Sequence, residues 1–372
     1  MRFLARILGL GAAASALLWF SASPAVGDPP LARALEDVTA LDKPTISYHA
    51  RAVDDPYIEE IRLVDLDGEN DRVWMRGTRE VGLSGAPKWS LDGKRAAAVA
   101  IDSIKQIYAP YILDLETGKE KSLYDPLPRD LVFIHLNWSP DGRWLAMAGT
   151  ARTGHNSDIY KLRVDTGMLV RLTHKPSASN WSPNWSPDGK KIAFDAKTED
   201  LYRDIYTIDA ADGKNRVKLT NLPLSSWPAV WSPDGKWIAF HSYLPEAPVS
   251  GTPDYAEMYV MRPDGSNVQR LTFNDTGDFA KCWSPDSKWI VYSHYSRQAD
   301  GGRLGGLYRM HIETKEIRLI KQGIEAISAT WVLAGKSRFL SVDPAGKKKA
   351  QWGTLKEAGG SPNNQTSQDK GE

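Results

Sequence analysis

Short apolar runs, each flanked by residues that favour turns, follow one another along most of this sequence. Residues 236–241, KWIAFH, combine β-branched, aromatic and small side chains, which favour a largely buried strand. Residues 205–208, IYTI, form a similar run in front of an Asp-Gly turn. Beyond the N-terminus, no apolar run approaches the length of a membrane span. The pattern predicts an all-β protein.

One ten-residue motif, WSPDGKKIAF at residues 185–194, recurs along the chain. Successive motif tryptophans are 49, 47, 46, 52 and 48 residues apart. A period of this length indicates a repeat protein in which each repeat forms one small antiparallel sheet. The other copies, of which the last is the weakest, begin at Trp89, Trp138, Trp231, Trp283 and Trp331.

The Ser-Pro-Asp-Gly part of the motif has the chemistry of a tight turn. Proline presets φ at the second turn position, aspartate bonds back to its own backbone, and glycine takes the left-handed φ that closes the hairpin. Each copy therefore predicts a hairpin that joins a strand a to a strand b. We assign a structural role to the aspartates of these turns, which are Asp92, Asp141, Asp188, Asp234 and Asp286.

A second hairpin lies between the copies of the first and supplies strands c and d. Residues 205–220 illustrate it, with Asp212-Gly213 at the turn. Six a–b units and six c–d units predict a six-bladed β-propeller of four-stranded antiparallel blades. Because the chain opens on a c–d unit and closes on an a–b unit, strands at residues 330–343 are expected to pair with strands at 61–75. Residues 46–50 resemble a strand b, so the closing blade has two candidates for that position.

The first 27 residues predict a cleaved secretory signal. Arg2 and Arg6 form a basic region, residues 7–20 are apolar, and Ala25-Val26-Gly27 offers a small-residue cleavage site. Fourteen apolar residues are too few to span the ~30 Å hydrocarbon layer. The mature protein is therefore expected in the periplasm or outside the cell.

The remaining sequence divides into three parts. Residues 28–43 form an N-terminal leader, residues 44–345 the propeller, and residues 346–372, rich in Gly, Ser, Asn and Gln, a tail that is expected to be disordered.

Composition and charge narrow the choice of partners. The formal charge of the 372 residues is +1, and loss of Arg2 and Arg6 with the signal lowers it to −1. An even, nearly neutral charge gives no reason to expect binding to nucleic acid or anionic lipid. Cys282 is the only cysteine, so no disulfide forms within the chain, and it is expected to be a small buried side chain. We expect a monomer with no membrane span in the mature form.

The WS-x-D-G/S repeats resemble the WD40-like (PD40) repeats of the TolB family. TolB is a periplasmic six-bladed propeller that binds a peptidoglycan-associated lipoprotein in the Tol-Pal system, and the resemblance covers its propeller part only, over residues 44–343. It implies an envelope or extracellular protein partner, although a glycan is an alternative. Similar repeats occur in prolyl-oligopeptidase-type peptidases and oligogalacturonate lyases, but a G-x-S-x-G nucleophile motif is absent from this sequence.

Binding residues are expected on the face opposite the Ser-Pro-Asp-Gly turns. The b–c and d–a loops meet there, and residues 243–257, 295–306 and 150–158 are the longest b–c segments. Aromatic and polar side chains four to six residues before the motif tryptophans could stack a sugar or hold a peptide, or could instead pack between blades. These binding candidates are Asn180, Trp181, Trp227, Asp278, Phe279 and Glu325.

A second set of residues raises the alternative of an enzyme, a polysaccharide lyase or hydrolase. Histidines and an aspartate near the ends of b strands could converge at the channel mouth and hold a divalent metal, or each could cap its own strand. These metal candidates are His155, Asp195, His241 and His294, and His49 occupies an equivalent place. The main prediction is a binding propeller without covalent chemistry and without a cofactor, and a structural spacer in a larger envelope assembly is a third class.

Overall fold

The structure is a computed structural model, and it describes most of the predicted propeller. The described residues are 38, 40–55, 57–77, 81–102, 107–123, 127–152, 156–174, 179–197, 202–222, 225–243, 256–274, 276–297 and 303–333. The predicted signal, most of the leader, the tail, the second candidate for the closing strand b, and His155 lie outside them. No helix in these ranges is long and apolar enough to cross a membrane.

The described part of the chain forms 25 β-strands. In chain order they are β1 (Thr45–Arg51), β2 (Glu59–Asp65), β3 (Arg72–Arg76), β4 (Val81–Leu83), β5 (Lys88–Trp89), β6 (Arg95–Asp102), β7 (Ile107–Asp114), β8 (Glu120–Ser122), β9 (Leu131–Trp138), β10 (Trp144–Ala151), β11 (Ser157–Arg163), β12 (Leu169–Arg171), β13 (Ser179–Trp185), β14 (Lys191–Lys197), β15 (Arg203–Asp209), β16 (Val217–Lys218), β17 (Ser226–Trp231), β18 (Ile238–Tyr243), β19 (Ala256–Met261), β20 (Gln269–Arg270), β21 (Gly277–Trp283), β22 (Trp289–Arg297), β23 (Arg303–His311), β24 (Ile317–Gln322) and β25 (Ser328–Trp331).

These strands form six antiparallel sheets, so the predicted all-β six-bladed propeller is confirmed. Blade 1 has the order β25-β1-β2-β3, and blades 3 to 6 are β9 to β12, β13 to β16, β17 to β20 and β21 to β24. In blade 2 the innermost position is divided between β4 and β5, and both pair with β6. Strands β7 and β8 follow outward from β6. Position a is innermost in every blade and position d outermost.

The ring closes in blade 1 by pairing strands from the two ends of the propeller. Strand β1 lies between β25 and β2, with Ile46 opposite Trp331 and His49 opposite Ser328. Of the two candidates for position b, the one at residues 46–50 therefore occupies it, and one C-terminal strand joins three N-terminal ones. The hydroxyls of Ser47 and Thr330, both buried, are 2.9 Å apart across this seam.

A hydrogen-bonded cluster reinforces the closing blade. The Tyr48 side chain is fully buried, and its hydroxyl donates to Asp71 Oδ1 at 2.9 Å. Arg62 Nε also donates to Asp71 Oδ1, at 3.1 Å, and Lys321 Nζ of blade 6 lies 3.0 Å from Asp71 Oδ2. Blades 6 and 1 are thus tied by an ion pair as well as by packing.

The motif turns explain why the sequence repeats. In the Asp188 turn, Ser186 Oγ donates to Asp188 Oδ1 at 2.6 Å and Lys190 N donates to the same oxygen at 3.0 Å. The other four turn aspartates make the same two contacts, at 2.5 to 3.1 Å. Ser287 replaces the motif glycine in blade 6 and still takes a φ of 61°. Each aspartate therefore holds its own turn.

The hydrophobic core is divided among the six interfaces between adjacent blades. Each interface contains a cluster of buried side chains drawn from both neighbours, such as Phe194 and Ile159 between blades 3 and 4, and the interface between blades 5 and 6 contains two. Burial of this apolar surface contributes on the order of 25 cal/mol per Å². The a strands contact one another around a central channel, so their inward-facing side chains decide what the channel can bind.

Candidate functional site

A cavity of about 900 Å³ lies in the channel on the side of the b–c and d–a loops. Inner strands of all six blades line it, together with Tyr243 at the end of β18 and Arg203 at the start of β15. We call this cavity the funnel. Its charged lining residues within the described chain are three cations, Lys88, Arg203 and Lys281, and one carboxylate, Glu59.

Aromatic side chains form a row along one wall of the funnel. Trp181, Trp227 and Phe279 occupy equivalent positions in blades 4, 5 and 6, and all three line the cavity. The His241 ring lies between two of them, 5.2 Å from the Trp227 ring and 4.8 Å from the Phe279 ring. Trp181 and Trp227 are only half-buried, so they offer apolar surface to a ligand.

A buried ion pair holds the tryptophan pair in place. Arg203 Nη1 lies 2.5 Å from Asp195 Oδ2, and the Asp195 side chain is fully buried. The guanidinium is 5.9 Å from the Trp181 ring centroid and 5.8 Å from the Trp227 centroid, within cation–π range of both. Burial raises the pKa of Asp195, and Arg203 opposes that shift. Arg203 therefore contacts both tryptophans of the aromatic row.

Two of the predicted metal ligands, Asp195 and His241, lie on b strands. Asp195 lies opposite Trp181 and His241 opposite Trp227, one strand farther from the axis than the aromatic rings. His241 lines the funnel but is 3% exposed, and burial lowers its pKa well below the ordinary value, so its imidazole is neutral. Among the described side chains, no three histidines, cysteines or carboxylates are grouped so that they could hold a metal ion.

His294 has a different environment from the other candidates. Its Nδ1 lies 2.8 Å from Asp278 Oδ1, and this contact raises the pKa of His294. Asp278 also accepts from Asn274 Nδ2 at 2.7 Å. The pair belongs to blade 6 and does not line the funnel.

The polar binding candidates also lie away from the funnel. Asn180 is fully buried and donates to the Ser157 carbonyl at 2.9 Å, while Asp278 is paired as described above. Asn180 and Asp278 directly precede Trp181 and Phe279, and successive side chains of a strand point to opposite sides. Glu325 is exposed and is not among the lining residues. Of the six binding candidates, the funnel brings together Trp181, Trp227 and Phe279.

Sequence reasoning did not identify the polar residues at the bottom of the funnel. Lys88, Asn137 and Asn184 each directly precede a motif tryptophan, and Lys281 is two positions before one. Their positions beside the motif tryptophans were the feature of the sequence that could have identified them. His49 lies on strand b of blade 1, at the place that Asp195 and His241 occupy in blades 4 and 5. It also lines the funnel, and its Nε2 is 3.4 Å from Glu59 Oε2.

A second cavity, of about 220 Å³, continues the channel toward the Ser-Pro-Asp-Gly turns. The six motif tryptophans surround it, and those of blades 3 and 6, Trp138 and Trp283, donate their indole N–H to a backbone carbonyl of the preceding blade at 2.8 and 3.0 Å. Burial raises the pKa of Cys282, which also lines this cavity, to about 12, so the thiol stays protonated. This end of the channel is largely apolar.

Comparison with known proteins identifies the family of this propeller. The sequence model described as "TolB beta propeller domain" (PD40) matches residues 45–200 and 175–351, which cover most of the chain. The chain belongs to the TolB β-propeller family. The predicted resemblance is thereby confirmed for the propeller, whose repeats and blades are those of the family.

Individual relatives match this TolB-family propeller over only part of its length or at low sequence identity. An uncharacterized protein of Agrobacterium fabrum is 32% identical over 31% of this chain and 36% of its own length. The Tol-Pal system protein TolB of Francisella tularensis is 38% identical over 16% of this chain and 13% of its own. The chain thus spans about a third or less of these curated relatives. The crystal structure of TolB from Acinetobacter baumannii, 23% identical, superposes with a TM-score of 0.58 over 78% of this chain and 66% of that one, which shows the shared fold.

Proposed function

We propose that this TolB-family propeller binds a partner protein through the funnel, without covalent chemistry, in the periplasm or outside the cell. The observation that carries the proposal is the aromatic row along a cavity of about 900 Å³, in which Trp181 and Trp227 are half-buried and Phe279 is buried. Binding energy in protein interfaces is concentrated in a few aromatic and arginine side chains set in pockets, and Trp181, Trp227 and Arg203 have that composition and placement.

Two further observations support a binding role. The motif aspartates are engaged in their own turns, so the recurring Ser-Pro-Asp-Gly motif has a structural role on the face opposite the funnel. The relatives named above include a Tol-Pal system protein, which favours an envelope protein as partner. The alternative of a lyase or hydrolase stays a prediction, and among the described residues no three histidine, cysteine or carboxylate side chains are grouped so that they could hold a metal ion for such chemistry.

Removal of the tryptophan pair tests the proposal. The immobilised mature protein and its Trp181→Ala/Trp227→Ala variant would be incubated with envelope proteins of the source cell, and the captured proteins quantified by mass spectrometry. We expect at least tenfold lower recovery of the partner by the variant, because an interfacial aromatic anchor contributes about 2 kcal/mol or more.

Lys190→Ala is the matched control, since Lys190 is exposed at the turn on the opposite face. It should capture the partner as the wild type does, and all three proteins should unfold cooperatively. Equal recovery by the tryptophan variant and the wild type would contradict binding through the funnel. Tyr243→Ala, at the rim, tests the same surface if the double variant does not fold.

A further inference from the structure

The two channel cavities meet at a level that we call the waist. Residues that line both cavities define it. They are Lys88, Asn137, Asn184, Val230 and Lys281. The waist is therefore the narrow passage between the aromatic funnel and the ring of motif tryptophans.

The two asparagines of the waist present hydrogen-bond donors. Asn137 Oδ1 accepts from Trp185 N at 3.3 Å, and Asn184 Oδ1 accepts from Trp231 N at 3.1 Å. These bonds, which join adjacent blades, fix the orientation of both amides. Each amide NH2 group is then the part available to a ligand in the channel.

The two lysines add positive charge at the same level. Both are half-buried, and no carboxylate of the described chain forms an ion pair with either one. Lys281 Nζ donates to the Ile327 carbonyl at 3.0 Å. Burial lowers the pKa of both ammonium groups, that of Lys281 to about 8, and the charge of Lys88 contributes to that shift. Enclosed cations without a counter-charge destabilise a fold, so two of them in one channel indicate a ligand.

We propose that the waist binds a carboxylate carried by the protein that enters the funnel. A carboxylate only accepts hydrogen bonds, which matches the ammonium groups of the lysines and the NH2 groups of the asparagine amides, all of which only donate. Arg203 is already paired with Asp195, so Lys88 and Lys281 supply the charge that the ligand meets. The proposal rests on the proposed function and specifies what the partner must present.

The depth of the funnel favours a peptide as the carrier. Asn184 lies three residues along β13 from Trp181, but a bulge between them makes these three residues span only two of β14, from Asp195 to Ala193, or about 7 Å at roughly 3.3 Å per residue of a strand. An extended peptide that places an apolar side chain against Trp181 and Trp227 therefore reaches the waist about two residues later. An acidic side chain or a C-terminal carboxylate at that position completes the contact.

A pair of matched peptides tests this inference on the isolated mature protein. Acetyl-Trp-Ala-Glu amide and acetyl-Trp-Ala-Gln amide differ only in charge at the third residue, and calorimetric titration gives the affinity of each. We expect the acidic peptide to bind at least tenfold more tightly, since it forms charge-assisted hydrogen bonds that the neutral one lacks. Lys88→Met should abolish this preference, and Lys281→Met should reduce it.

Lys214→Met is the control, because Lys214 is 78% exposed and lies outside the channel, and it should keep the preference. Equal affinity of the two peptides for the wild type, or an unchanged preference in Lys88→Met, would overturn the inference. Tighter binding of glucuronate than of the acidic peptide would also overturn it, since the carboxylate would then come from a sugar.

Thermal unfolding distinguishes this role from a structural one. Because Lys88→Met removes an unpaired cation, the ligand-free variant should unfold at the same temperature as the wild type or higher. A lower midpoint would show that Lys88 stabilises the fold and would contradict its assignment to a ligand. The peptide test does not require the native partner. The waist proposal can therefore fail while the funnel still captures a partner protein, and partner capture can fail while the peptides bind as expected.

Discussion

Replacement of Tyr48 by alanine is expected to lower the free energy of unfolding by about 3–5 kcal/mol, the usual range for loss of a buried aromatic ring. Tyr48 is fully buried in β1, the N-terminal strand that completes blade 1 against β25. Its loss leaves a cavity between blades 6 and 1 and removes the hydroxyl that donates to Asp71. Chemical denaturation of the mature protein, followed by tryptophan fluorescence, measures the effect.

Tyr48→Phe is the matched control. It keeps the ring and loses only the two hydrogen bonds of the hydroxyl, which donates to Asp71 and accepts from Arg62 Nε, so a loss of about 1–2 kcal/mol is expected, with Arg62 and Lys321 still holding Asp71. If the alanine variant were as stable as the phenylalanine variant, β1 would not be the strand that closes the ring.

Replacement of Arg203 by methionine is expected to destabilise the protein by about 3–5 kcal/mol near neutral pH, because it leaves the buried Asp195 carboxylate without its partner. Burial already raises the pKa of Asp195 above its ordinary value, and loss of Arg203 should raise it further. An acid whose pKa is raised on folding stabilises the folded state when protonated. The loss should therefore be small near pH 4 and grow as the pH rises toward 7.

The double variant Asp195→Asn/Arg203→Met removes the charge as well as its partner. Its unfolding free energy should not show this pH-dependent loss, because the amide does not ionise. Denaturation of the wild type and both variants at pH 4, 5, 6 and 7 gives the comparison. A pH-independent loss in Arg203→Met would contradict the assignment of the pair as a buried salt bridge.

The fold was predictable because every blade needs the same turn. The hydroxyl and carboxylate of Ser186 and Asp188 close one hairpin, and the same residue types recur wherever a blade requires that hairpin. The sequence could not decide which strand closes the ring, since residues 46–50 and the segment after Trp331 have similar patterns. Pairing between Ile46 and Trp331, far apart in the chain, settles that choice.

The site was less predictable, for reasons of side-chain direction and register. Trp181 and Trp227 were recognisable because they share an offset from their motif tryptophans and face the channel together. Asp195 and His241 also share an offset, but they lie in b strands, behind the aromatic rings. Lys88 and Lys281 are 193 residues apart in sequence, and only closure of the ring brings them to one level.

Site-specific photo-crosslinking tests the central claim, that a protein partner occupies the funnel. A photoreactive benzoylphenylalanine would replace Tyr243 at the rim in one version of the protein and Lys190 at an opposite turn in another, both expressed in the source cell. We predict one covalent adduct with an envelope protein from position 243, lost in the Trp181→Ala/Trp227→Ala background, and none from position 190. An adduct from position 190 alone, or an adduct from 243 that persists without the tryptophans, would contradict the account.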